Sequence, residues 1–228
     1  MIILIKNRVD KMKIKIKEFI KGIGTIFLYF ILSIIGAVLF GDFYYSNNII
    51  VATLAQLGTY IIMLLGLGIV YQKTLYEDFI SFKKEYTNIA IKNWLIGLCI
   101  MMIANIIITT FTQDIAANES ANRELLTKYP ISNMISMIII GPMLEEITFR
   151  ASFKKAFNKW YTFAIITGLI FGFMHIAEFN LLEFLFIIPY GALGFFFAKA
   201  YYETDNIYTS FIAHMIHNAM CVFLILLM

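Results

Sequence analysis

Apolar positions in this chain do not alternate, and they do not mark one face of short helices. They run in blocks of about twenty, broken by brief polar punctuation. Seven blocks lie near 19–41, 48–71, 92–112, 131–153, 161–178, 181–201 and 207–228. About 20 apolar residues let a helix cross a hydrocarbon layer. Inside such a layer an open strand edge would leave backbone groups unpaired, so each block predicts a helix. The pattern therefore predicts an all-α fold: a polytopic membrane helix bundle of about seven transmembrane helices in one integral domain, 1–228. The thinnest break falls between the fifth and sixth spans, around Glu178–Asn180. Gly141-Pro142 should interrupt the fourth span, because proline lacks a backbone donor. Pro189 and Gly191 should do the same in the sixth, and Gly191 and Gly194 should let helices approach closely.

Composition agrees with the blocks. The 228 residues are 61% hydrophobic and 14% charged, with a mean hydropathy of +0.80. Soluble domains carry roughly 25% charged and 45–50% apolar residues. Cys99 and Cys221 both lie inside apolar blocks and read as buried free thiols rather than a disulfide framework.

Charge placement orients the bundle. Seven of the eighteen basic residues precede residue 22: Lys6, Arg8, Lys11, Lys13, Lys15, Lys17 and Lys21. Beside a span, such a segment is better read as bound to anionic lipid on the cytoplasmic face than as a nucleic-acid arm. With seven spans, Lys73, Lys83, Lys84, Lys154, Lys155, Lys159 and Lys199 fall on that same side. The opposite connections hold few basic residues, Arg123 and Lys128 among them. The expected arrangement is a multi-pass protein of the cell membrane, with a cytoplasmic N-terminus and no nucleic-acid partner. It divides into a basic segment 1–18, scaffold spans 19–130 and a remaining part, 131–220, that holds the polar residues within spans.

Chemistry enters through the few ionisable residues inside spans: Glu145, Glu146, His175, His214 and His217, accompanied by Arg150 and Asn218. Such residues are costly in lipid and mark functional sites by default. Glu146 and Arg150 are four apart with the acid first, the favourable order for a helical ion pair. Glu145 points about 100° away around the helix and lacks that partner. One carboxylate then reads as structural and the other as available for general acid–base work. Against this, both glutamates can simply mark the end of a span, near Lys154 and Lys155. Phe171 and His175 share a face at i and i+4, and so do His214 and Asn218, with His217 flanking. A lone histidine in an apolar helix is usually a core residue. Three polar clusters on three spans, with nothing comparable in the first three, form a stronger signal. Ser210 lies on the His214 face and reads as a helix-bonding hydroxyl rather than a nucleophile.

These three clusters resemble the motifs EExxxR, FxxxH and HxxxN of the CAAX protease and bacteriocin-processing family, also called Abi proteins, which includes the type II CAAX prenyl proteases. They stand here as Glu145 to Arg150, Phe171 to His175 and His214 to Asn218, in order, within roughly residues 131–220. The first three spans carry no family signature, and the chain is smaller than the prenyl-processing members. The resemblance implies that Glu145 and His175 activate water, that His214 and Asn218 form an oxyanion hole, and that Glu146 and Arg150 support them. It implies an intramembrane endopeptidase acting on a membrane-associated peptide or protein, in peptide maturation or bacteriocin immunity.

Peptide hydrolysis needs an activated water, donors for the oxyanion and a proton for the leaving amine. This residue set can supply all three, and no HExxH or nucleophile elbow is present. Metal-independent water activation is the preferred reading. A His₂Glu zinc site through Glu145, His175 and His214 is the alternative. A proton-coupled carrier and a non-catalytic immunity protein are the other competing classes; no inverted repeat supports the former. For Glu145 and His175 to meet, the fourth helix is expected to continue past Arg150 through Lys154 and Lys155, with the site opening toward the cytoplasm.

Overall fold

The computed structural model describes the backbone of residues 2–227 and the side chains of residues 10–227. The bundle is built from α1 (Ile2–Phe40), α2 (Ile49–Ile80), α3 (Glu85–Thr112), α4 (Ala117–Lys128), α5 (Pro130–Ile135), α6 (Gly141–Glu146), α7 (Trp160–Met174), α8 (Leu181–Leu185), α9 (Ile187–Thr204) and α10 (Ile207–Leu227). No strand occurs among the described residues. The basic segment and the first span form one continuous helix, on which Lys11, Lys13 and Lys17 are exposed. The side chains of Lys6 and Arg8 lie outside the described residues.

Six stretches are long and apolar enough to cross a membrane: Asp10–Phe43, Ile49–Ile80, Glu85–Thr112, Pro130–Ala156, Leu181–Thr204 and Ile207–Leu227. The fifth expected span is α7, at 15 residues the short one. Large apolar side chains point outward along these helices. Val38 is 80% exposed, Ile69 68% and Phe111 84%. A soluble protein does not leave such a surface to water; this is a multi-pass helical membrane bundle.

Two ends can be distinguished. The basic end carries the start of α1, the α2–α3 turn with Lys83 and Lys84, and Lys154–Lys159. It is tied together at Asp78, whose carboxylate accepts from the Ile207 amide at 2.8 Å and whose carbonyl accepts from the Asn206 side chain at 2.5 Å. Lys154 also pairs with Asp205 there. The opposite end carries residues 41–48, α4 and residues 175–186.

The spans behave differently from expectation in two places. The turn near Glu178–Asn180 is longer than expected. The chain leaves helix after Met174, forms the short α8, and restarts at Ile187. The sixth span is thus interrupted at Phe186, as expected, and Pro189 sits in the first turn of α9, where its missing donor costs nothing. In α7 and α9 the glycines decide the approach. A Cβ at Gly172 would stand 2.6 Å from the Ile187 carbonyl oxygen, and one at Gly168 would stand 2.8 Å from the Phe195 nitrogen. Gly194 faces Phe171 in the same crossing. Backbone-to-backbone contact at this seam fixes α7, and with it His175.

The fourth span is the distorted one. Between α5 and α6, residues Ser136–Ile140 form a π-turn, and Ile147–Ala151 form a second. Such bulges insert a residue into the helix and turn the side chains that follow. The first is explained by Gly141-Pro142, since proline cannot donate to the preceding turn. The helix then ends at Ala151. It does not continue through Lys154 and Lys155, which lie in a separate short 3₁₀ turn.

Candidate active site

The two carboxylates of α6 meet different surroundings. Glu146 is fully buried. Its Oε1 lies 3.1 Å from Arg150 Nη1 and 3.0 Å from His214 Nδ1. The arginine contact is an unaligned charge pairing, because Nη1 makes no geometrically formed hydrogen bond. Arg150 is also fully buried, donates from Nη2 to the Gly194 carbonyl at 3.3 Å, and sets its guanidinium 4.4 Å from the Phe171 ring centre. This one cation thus ties the fourth span to α7 and α9. Glu145 keeps 22% of its side chain exposed, and its Oε2 makes no hydrogen bond within the protein.

His214 bridges the pair. A carboxylate only accepts, so Nδ1–H donates to Glu146 while Nε2 stands 3.8 Å from Glu145 Oε2. The Phe197 ring stacks on the imidazole at 4.8 Å and the Phe171 ring meets it edge-on at 5.5 Å. His175, just past the end of α7, is held as firmly. Its Nδ1 donates to the Phe171 carbonyl at 2.8 Å, and its ring is flanked by Phe171 at 4.3 Å and Tyr190 at 4.6 Å. With the proton on Nδ1, Nε2 presents a lone pair. Asn218 donates from Nδ2 to the Met137 carbonyl at 2.7 Å.

Glu145, His175, His214 and Asn218 line one cavity of about 550 Å³. Glu146 and Arg150 lie buried behind its wall. His217 also lines it, with Nε2 3.6 Å from Cys221 Sγ. Among the described residues, no three of His, Cys, Asp and Glu are arranged to hold a metal ion.

The cavity opens away from the basic end. From Glu145 toward the basic end the way is shut, since Leu144, Ile147, Arg150 and Phe153 have no exposed surface. The cavity instead reaches Asn118, Asn122 and Phe186 at the opposite end, and Leu224 and Ile225 near the end of α10. The stagger that lets Glu145 reach His175 comes from the shortness of α7 and the π-turns, not from an extended fourth helix.

Sequence reasoning missed part of the wall. Tyr29 of α1, Tyr60 of α2, Asn105 of α3 and Tyr190 of α9 all line the cavity, as do Asn118, Glu119, Asn122 and Arg123 of α4. The tyrosines are single polar tips in apolar runs and give no sequence pattern. The α4 residues carry a signal in retrospect, with Glu119 and Arg123 four apart and paired at 2.6 Å. α4 is held by Glu183, which is 5% exposed and accepts from the Ala117 amide at 2.6 Å.

Comparison with known proteins meets this geometry. Residues 127–220 match the family model described as type II CAAX prenyl endopeptidase Rce1-like. The chain is 31% identical over 147 residues to a Bacillus subtilis (strain 168) protein named "Putative membrane peptidase YdiL", covering 56% of this chain and 57% of that one. It is 28% identical over 99 residues to an "Uncharacterized protein" of Mycoplasma capricolum subsp. capricolum (strain California kid), covering 43% of this chain and 29% of that one. The chain thus spans little more than half the length of the first relative and under a third of the second. No solved structure matches it significantly.

Proposed function

We propose, from the match of residues 127–220 to the Rce1-like CAAX endopeptidase family model, that the protein is an intramembrane endopeptidase which cleaves by Glu145- and His175-activated water. The observation that carries this reading is the asymmetry of the paired glutamates. Glu146 is consumed by Arg150 and His214, whereas Glu145 presents an unbonded oxygen to the cavity that His175 and His214 share.

In this reading water sits between Glu145 and His175 Nε2. Glu145 takes its proton as the oxygen attacks the scissile carbonyl. The oxyanion accepts from the second Nδ2–H of Asn218 and from Nε2–H of His214, which acts here as the doubly protonated ring. Donors fixed in a water-poor site stabilise developing charge strongly. The proton on Glu145 then passes to the leaving amine. Arg150 and Glu146 hold His214 in place and touch no reacting atom. Neither the residue set nor any step requires a metal.

The substrate is a membrane-associated peptide or protein segment, and its cleavage serves peptide maturation or bacteriocin immunity. The protein lies in the cell membrane with its N-terminus cytoplasmic, where the exposed lysines of α1 meet anionic lipid. Comparative peptidomics of cells carrying the wild type and Glu145→Gln tests the activity. Uncleaved precursors should accumulate in the variant. Identical peptidomes from equally expressed proteins would reject it. Purified protein should also keep its activity after a strong chelator; loss with recovery on adding zinc would replace the metal-free step.

A further inference from the structure

The cavity lining combines two chemistries. Side-chain amides come from α3 and α4, at Asn105, Asn118 and Asn122, and apolar side chains come from α3 and α10, at Met101, Met102, Met220 and Leu224. The α4 amides are coupled to the catalytic histidine, because the Tyr190 hydroxyl faces Asn118 while its ring stacks on His175. We infer that α4 reads the substrate backbone, and that the substrate is an extended, apolar peptide segment entering from the end opposite the basic one.

Three physical points lead there. An extended strand repeats every two residues, about 6.6 Å. Asn118 and Asn122, four apart on a helix, are separated by about 6 Å along its axis, so successive amides meet successive equivalent peptide units. A carboxamide both donates and accepts, matching the N–H and C=O that an extended strand presents on one edge, whereas a lipid chain has no use for either. Methionine is unbranched and adaptable, suited to an apolar face that accepts varied side chains. The direction follows from the closed floor beneath Glu145. With the basic end cytoplasmic, the orientation that the positive-inside bias favours, the segment comes from the exported side of a membrane-anchored polypeptide.

The inference rests on the peptidase reading for its chemistry, but docking and direction can be read without hydrolysis. Direction is tested in full-length chains carrying Cys99→Ser and Cys221→Ser with a single added cysteine, Asn122→Cys or Lys84→Cys. In right-side-out vesicles an impermeant maleimide should label the first and spare the second, with the reverse in inside-out vesicles. The opposite pattern overturns the direction.

Docking is tested with Cys221, which lines the cavity. The chain carries Cys99→Ser and Glu145→Gln, so that the probe is not consumed. A leucine-alanine decapeptide at ten times its Kd should slow N-ethylmaleimide labelling of Cys221 about tenfold, as occupancy requires, while a glutamate-rich decapeptide should not. Asn118→Ala with Asn122→Ala should abolish the protection. Absent protection, or protection unchanged in that double variant, overturns the role given to α4. Protection without cleavage by the Glu145-containing chain leaves that role standing and rejects the peptidase reading.

Discussion

The side-chain amide of Asn218 replaces the backbone donor that Pro142 lacks. In the π register of Ser136–Ile140 each amide reaches back five residues, as Gly141 does to Ser136. Residue 142 would then serve the carbonyl of residue 137, and proline cannot. Asn218 Nδ2 donates to that carbonyl at 2.7 Å. A helix defect in one motif is thereby completed by a residue of another, and the same contact fixes the amide in the cavity that Glu145, His175 and His214 line.

Separating these two duties gives the first prediction. Asn218→Ala should lower activity by about 10²–10³-fold, the usual loss for one oxyanion donor. It should also destabilise the fold by about 1–3 kcal/mol through the orphaned Met137 carbonyl. Adding Pro142→Ala returns a backbone donor, so thermal unfolding in detergent should recover while the turnover rate does not. Recovery of both, or of neither, would show that the amide and the proline are not coupled.

Arg150 supplies a second. Arg150→Ala strands Glu146 without its cation and should cost about 3–5 kcal/mol, read as a lowered melting temperature and poor recovery from the membrane. Arg150→Lys should rescue little, because an ammonium cannot cover the Phe171 ring while reaching both Glu146 and the Gly194 carbonyl. A lysine variant as stable as wild type would show that only the charge matters.

Base and paired carboxylate are distinguishable by isosteric change. Glu145→Gln should reduce the rate by about 10²–10⁴-fold with the melting temperature unchanged. Glu146→Gln should instead lower stability, since it unpairs Arg150. Equal stability loss in the two variants would argue against a division of labour.

The α7–α9 seam can be probed at its glycines. Gly172→Ala pushes a methyl against the Ile187 carbonyl oxygen and should destabilise by about 1–3 kcal/mol. Gly68→Ala, with nothing within 4 Å of the new Cβ, should be neutral or gain up to about 1 kcal/mol of helix propensity. Thermal unfolding of both variants tests the contrast.

α4 supplies the last. Glu183→Ala removes the acceptor of the Ala117 amide, so amide exchange in residues 117–128 should accelerate while α9 and α10 stay protected. Glu183→Gln keeps an acceptor and should exchange more slowly than the alanine variant. Exchange unaltered in α4 would mean that Glu183 does not hold it.

Much of this arrangement was legible before the structure. The seven apolar blocks correspond to six long helices and α7, and the break at Gly141-Pro142 appears where proline requires it. Residues chosen as three motifs converge on one cavity and its buried support. What could not be read was set by geometry between helices. The opening direction depends on stagger, which follows from the length of α7 and from π-turns that no periodicity records. Tyr29 and Tyr60 contribute single hydroxyls, so the expected scaffold spans gave no sign of joining the cavity wall. α4 was legible only as a polar connection, because its role appears once Glu183 and Tyr190 are seen beside it.

The fifteen residues of α7 have a consequence for the surrounding lipid. At 1.5 Å per residue the helix rises about 22 Å, against a hydrocarbon thickness of about 30 Å. Lipid tails beside it must shorten or tilt to meet its ends, at a cost of fractions of a kcal/mol for each ångström of mismatch. A bilayer around the bundle should therefore dimple next to α7 and bring headgroup water closer to the His175 end. In the peptidase reading water is the second reactant, so activity should be highest in membranes thin enough to form that depression readily.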